Sequence, residues 1–166
     1  MTARFRYDTH TPGPYDAMGA LETYLAHCVI EPPLVHLVKL RASQLNGCAY
    51  CLDMHWKDLR ALGETEQRLY GLDAWRDSPY YSPRERAALA WTEAVTLVAT
   101  SRVPDEVYLE AREHFDERAL GDLTLVIAAI NAWNRLSIAA RDVPGKYRSR
   151  LTEPTAEPEN VGGGAR

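Results

Sequence analysis

Cysteine is scarce in this chain: there are three in 166 residues, and an odd count does not build the paired framework of a disulfide-stapled secreted domain. Residues 1–8, Met-Thr-Ala-Arg-Phe-Arg-Tyr-Asp, lack the apolar core of a signal peptide, so the expected location is cytoplasmic. Long hydrophobic runs are missing too. The longest, Leu123 to Ile130, falls far short of the roughly 20 residues that cross a bilayer, and reads as a buried helix. Neither charge dominates: 19 Lys and Arg stand against 23 Asp and Glu, a net charge of −4, which gives no electrostatic reason to expect nucleic acid or a membrane as partner. No strand-length alternation bounded by turn signals occurs, so the expected fold class is all-α, a compact multi-helix domain. No flavin, nicotinamide or phosphate loop is visible, and no cofactor is expected.

What is present is concentrated in Leu45-Asn46-Gly47-Cys48-Ala49-Tyr50-Cys51-Leu52-Asp53-Met54-His55, a Cys-x-x-Cys followed four residues later by histidine. Asn46-Gly47 is a chain-reversal signal, which places both cysteines in the first turn of a new helix. Unpaired backbone N–H groups and the helix dipole favour a thiolate there. At about 100° per residue, Cys48, Cys51, Leu52, His55, Leu59 and Leu62 share one face, while Asp53, Lys57 and Arg60 lie on the other. Thiols and imidazole therefore face inward together. His55 is one turn beyond Cys51 and two beyond Cys48, so it is better placed to hydrogen-bond the second cysteine.

Along the chain, residues 1–14, with Pro12, Gly13 and Pro14, read as an extended N-terminal arm, residues 15–148 as the helical domain, and residues 149–166 as a disordered tail poor in apolar surface. Helical spacing predicts a first helix over 15–28, in which Cys28 acts as a small buried hydrophobe. Residues 34–45 form the next helix and make a hairpin with the cysteine helix. His36 lies ten residues before the break and His55 eight after it, so in an antiparallel hairpin the two sit at similar heights. Gly63 closes the cysteine helix, and residues 64–75 are expected to form one amphipathic helix. Ser82-Pro83-Arg84-Glu85 marks the start of a helix running to about residue 100. Glu93 lies on the edge of its apolar stripe, either as a solvated charge or as a carboxylate facing the thiols. Pro104-Asp105-Glu106 opens another helix, and Asp116 caps the last, which continues to about residue 140. The polar Asn131, Asn134 and Arg135 within it need partners inside the fold or at a subunit interface.

A Cys-x-x-Cys in the first turn of a helix brings both sulfurs within disulfide distance, so the pair can cycle between dithiol and disulfide with little backbone movement. One thiolate would attack a peroxide oxygen or a disulfide sulfur, and the other would resolve the product. The competing reading is a metal site, with Cys48, Cys51 and His55 as zinc-type ligands and His36 as a fourth. Against it, structural zinc is needed chiefly by small domains with little core, and this chain has ample hydrophobic helices.

The run from Leu37 to His55, continuing through Ala61-Leu62-Gly63, resembles the carboxymuconolactone decarboxylase superfamily and, within it, the alkylhydroperoxidase AhpD-like branch. Weaker similarity covers residues 85–94 and 131–135. The resemblance implies an all-helical fold that assembles as a homo-oligomer (dimer, trimer or hexamer). It also implies thiol peroxidase or disulfide reductase activity on a peroxide or disulfide substrate, with electrons from an external thiol or protein reductant. Cys48 and Cys51 would be the redox pair and His55 part of a proton relay. The family pattern has a glutamate twelve residues before the first cysteine, and here that position is His36. An imidazole cannot replace a carboxylate as the anionic partner of imidazolium, although it can pass a proton. That leaves Glu93 as the candidate for a substituted acid. Tyr50 stands where some relatives have a further histidine. Decarboxylase members generally lack the cysteine pair, so lactone chemistry is a minor alternative, beside a non-catalytic oxidant-sensing or zinc-binding assembly.

Overall fold

The computed structural model describes residues 2–7 and 12–151. Among these residues the chain is all-α, with eight α-helices, a single 3-10 turn and no strand. In order they are α1 Pro12–Leu25, α2 Pro32–Asn46, α3 Ala49–Ala61, α4 Glu66–Tyr70, the 3-10 turn Leu72–Ala74, α5 Pro83–Thr96, α6 Val98–Ser101, α7 Asp105–His114 and α8 Glu117–Ala140.

The arrangement centres on α2, which packs against α3, α5 and α8. Prolines in its first turn cost no hydrogen bond, because the first N–H groups of a helix have no intrahelical partner. Leu34, Leu37, Val38 and Leu40 are all buried in the main core. The helix ends at Gly47, whose φ of 68° is open to glycine at no steric cost, and its N–H returns to the carbonyls of the preceding turn. α3 then starts at once. That tight reversal makes the α2–α3 hairpin and fixes its register.

α8 is the other buried axis. Its long apolar composition would suffice, on length alone, to cross a membrane, yet Leu123, Val126, Ile127 and Ile130 are packed inside the protein. α1, α2, α3, α5 and α7 all lie against it. Asp116 caps its start by accepting the Ala119 N–H at 2.7 Å. Ser82 and Glu85 form a reciprocal capping box at the start of α5. Beyond α8, Arg141 takes a left-handed turn (φ 58°) and the chain folds back across α3. There the Gly145 N–H donates to Asp53 Oδ2 at 3.0 Å and Lys57 Nζ donates to the Tyr147 carbonyl at 3.2 Å.

Three boundaries differ from the sequence expectation. α1 begins at Pro12, so the arm over 1–14 does not stay extended to its end; its prolines fall in the first turn, where they are tolerated. Residues 64–75 do not form one helix. Thr65 caps a short α4, the helix stops at Tyr70, and the chain tightens into the 3-10 turn after Gly71. The helix from Pro83 ends at Thr96, and Leu97 (φ −97°, ψ 27°) separates it from α6. The expected tail lies, from residue 152 on, outside the described residues.

Candidate functional site

The site forms where the start of α3 meets the end of α2 and the middle of α8. Cys48 is the N-cap of α3 and Cys51 the third residue of the helix. Both are about 1% exposed, in a small apolar cluster with Ala42 and Ile130 that Tyr50 and Trp133 pack against. Their sulfurs are 2.6 Å apart. At that separation an S–S bond needs only a small side-chain movement.

The two thiols are electrostatically unequal. The Cys51 thiol directed at Cys48 Sγ pulls the Cys48 pKa down to about 7; burial opposes this, while the Cys51 amide and the Asn134 side chain reinforce it. The same interaction with Cys48, together with burial, raises Cys51. The pair therefore gives up its first proton near neutrality and holds the second strongly, with the lowered value falling on Cys48.

His36 of α2 and His55 of α3 meet across the hairpin, Nδ1 to Nδ1, at 3.2 Å. Burial first, then the neighbouring His36 and Lys39, holds His55 well below the ordinary imidazole value, so it is neutral at neutral pH. Burial lowers His36 as well, with Asp58 pulling the other way. No hydrogen bond joins His55 to either sulfur among the described residues. Its Nε2 is buried and has no partner among the described residues. The nearest partner of Cys51 is Cys48 rather than the imidazole.

The carboxylate beside these imidazoles is Asp58, which the sequence reading did not single out. Its Oδ2 lies 3.5 Å from His36 Nδ1 and 3.9 Å from His55 Nδ1, and its Oδ1 accepts the Tyr147 hydroxyl at 2.8 Å. The signal was its spacing: three residues after His55 and seven after Cys51, it lies on the inward face. Tyr147 carried no such signal, because the strap beyond α8 brings it there.

Glu93 is elsewhere. It accepts hydrogen bonds from Arg41 Nε and Trp75 Nε1, both at 2.8 Å, and from Arg76 at 2.5 Å. Burial raises its pKa, and these three donors more than reverse the effect. The acid expected beside the thiols is thus committed to a separate ion-pair network joining α2, α5 and the 3-10 turn region. Asn131, Asn134 and Arg135 all have hydrogen-bond partners inside the fold. Asn46 Nδ2 donates to Asn131 Oδ1 at 3.0 Å and to Asn134 Oδ1 at 2.8 Å, and Asn134 Nδ2 donates to Ser43 Oγ at 3.1 Å. These amides clamp the hairpin turn to α8. Arg135 donates back to the Asn131 carbonyl at 2.7 Å. Cys28 is half-buried, with its sulfur 3.9 Å from the Ile30 carbonyl.

The model of the carboxymuconolactone decarboxylase family matches residues 12–94, which include α1, α2, α3 and most of α5. The uncharacterized protein YdfG of Bacillus subtilis is 48% identical over 139 residues, covering 84% of this chain and 95% of that protein. A solved structure from Agrobacterium tumefaciens, of a protein of unknown function provisionally assigned to AhpD-type antioxidant defence, is 40% identical. It superposes with a TM-score of 0.85, covering 87% of this chain and 99% of that one. The debrominase Bmp8, at 21% identity and a TM-score of 0.66 over 79% of this chain and 70% of its own, shares the fold.

Proposed function

The chain belongs to the carboxymuconolactone decarboxylase family, in its AhpD-like branch, and we propose that it is a cysteine-dependent peroxidase or disulfide reductase. The observation that carries this reading is the pair of buried sulfurs 2.6 Å apart, and the lowering of the Cys48 thiol to about 7 by its neighbour supports it. In the oxidative half, the Cys48 thiolate attacks one oxygen of a peroxide. The O–O bond breaks, Cys48 becomes a sulfenic acid, and the departing alkoxide or hydroxide takes a proton. Cys51 then attacks the Cys48 sulfur. The S–O bond breaks, hydroxide leaves with the Cys51 proton as water, and a disulfide remains. An external dithiol or a reductant protein supplies the two electrons that restore both thiols.

His55 Nε2, unpartnered and one helical turn beyond Cys51, is the acceptor available for a proton on the inward face. Asp58, held by Tyr147, is the anion that favours a proton on His36, which faces His55 across the hairpin. In this reading Asp58 takes the place given to Glu93 on sequence alone. A reducing compartment, the cytoplasm, suits a pair that must return to dithiol, and assembly as a homo-oligomer accompanies the family fold.

The test is peroxide consumption with a dithiol donor by the full chain, Cys48→Ser and Cys51→Ser, with thiols counted before and after peroxide. The expected result is the loss of two thiols per chain and a fall to background rate in both variants. Equal rates in all three proteins would refute the proposal.

A further inference from the structure

The His36–His55–Asp58 cluster gathers more donor atoms at one place than proton transfer alone requires. Two ring nitrogens face each other across 3.2 Å, and a carboxylate oxygen stands 3.5 Å from one and 3.9 Å from the other. Three donor atoms thus surround one point, and the point in their plane equidistant from all three lies about 2.1 Å from each. Zinc–nitrogen and zinc–carboxylate bonds fall at roughly 2.0–2.2 Å. The donor set, two imidazoles and one carboxylate, is also of the kind that binds zinc-type cations.

We infer that His36 Nδ1, His55 Nδ1 and Asp58 Oδ2 form a site for a single divalent transition-metal cation, of which zinc is the representative. Two further observations support it. The second oxygen of Asp58 accepts the Tyr147 hydroxyl, and a hydrogen bond of this outer kind orients a ligating carboxylate. The His36 side chain is 17% exposed while His55 and Asp58 are buried, so His36 is the member of the cluster nearest to solvent. The site is separate from the sulfur pair: its ligands are the imidazoles and Asp58, and neither thiol belongs to it.

One consequence rests on the peroxidase reading: with His55 and Asp58 engaged by a cation, they cannot hand on a proton, so zinc slows turnover. Binding itself does not depend on that reading. The decisive protein is full-length Cys48→Ser/Cys51→Ser, in which no sulfur of the motif remains. After chelator treatment and removal of the chelator, calorimetric titration with zinc is expected to give one site per chain, and adding His36→Gln is expected to weaken it by at least about tenfold. Cobalt(II) added to the same double-cysteine variant reads the site without altering any proposed ligand. Strong visible bands of a low-coordinate centre support it, and only the weak absorption of the hydrated ion overturns it. Unaltered affinity in the His36→Gln protein, or binding lost with the cysteines alone, overturns it as well. If zinc binds the double variant while the wild-type chain consumes no peroxide, the peroxidase proposal falls and the metal site stands.

Discussion

Cys48 owes its low pKa to a neighbour rather than to a base: the hydrogen bond it shares with the Cys51 thiol lowers it, and among the described residues the imidazoles make no hydrogen bond to either sulfur. The rate of Cys48 alkylation by iodoacetamide should therefore rise with pH and reach half its plateau at about pH 7. Its direction follows from the sign of the shift: a thiol whose pKa is lowered is charged over a wider range, so reactivity is lost only as pH falls through that value. In Cys51→Ala the donor is gone, and the midpoint should move up toward an ordinary thiol; an unmoved midpoint would assign the shift to another cause. The sequence made Cys48, Cys51, His36 and His55 legible because a motif and a hairpin register place them. It did not reveal Asp58, since one aspartate among several helix charges has no mark beyond its spacing from His55. Glu93 stayed open between a solvated charge and an acid facing the thiols, because its partners, Arg41, Trp75 and Arg76, come from segments that only the fold brings to it.

At the scale of the elements, the hairpin turn decides the site. Gly47 is left-handed at φ 68°, and nothing stands within 4 Å of where a Cβ would be, so Gly47→Ala introduces backbone strain without a clash. Urea denaturation should show a loss of roughly 1–2 kcal/mol. The amide clamp is a second fastening. Asn134 is fully buried, and Asn134→Ala leaves Asn46 and Ser43 short of partners inside the protein, which should cost about 1–3 kcal/mol in the same measurement. Helix starts were readable where side chains write them, as at Ser82 and Asp116. The stops after Tyr70 and Thr96 were not, because the chain there bends to suit packing rather than a proline. At the first of these, Trp75 must swing toward Glu93 on α5.

For the whole molecule, α8 is the shared wall of both the main core and the thiol cluster. Ile127 is fully buried within it, so Ile127→Ala should lower global stability by about 2–5 kcal/mol, seen as a single displaced transition in tryptophan fluorescence. Two separate transitions would show that the hairpin folds apart from the rest. The strap beyond α8 sets an order on biosynthesis. Tyr147 meets Asp58 from 89 residues further along, so a nascent chain that has emerged only as far as Ala140 already holds both sulfurs and both imidazoles but lacks the hydroxyl that aims the carboxylate. Synthesis therefore lays down both thiols, both imidazoles and Asp58 before the hydroxyl that fixes the carboxylate, so the cluster reaches its final geometry only when the strap has emerged.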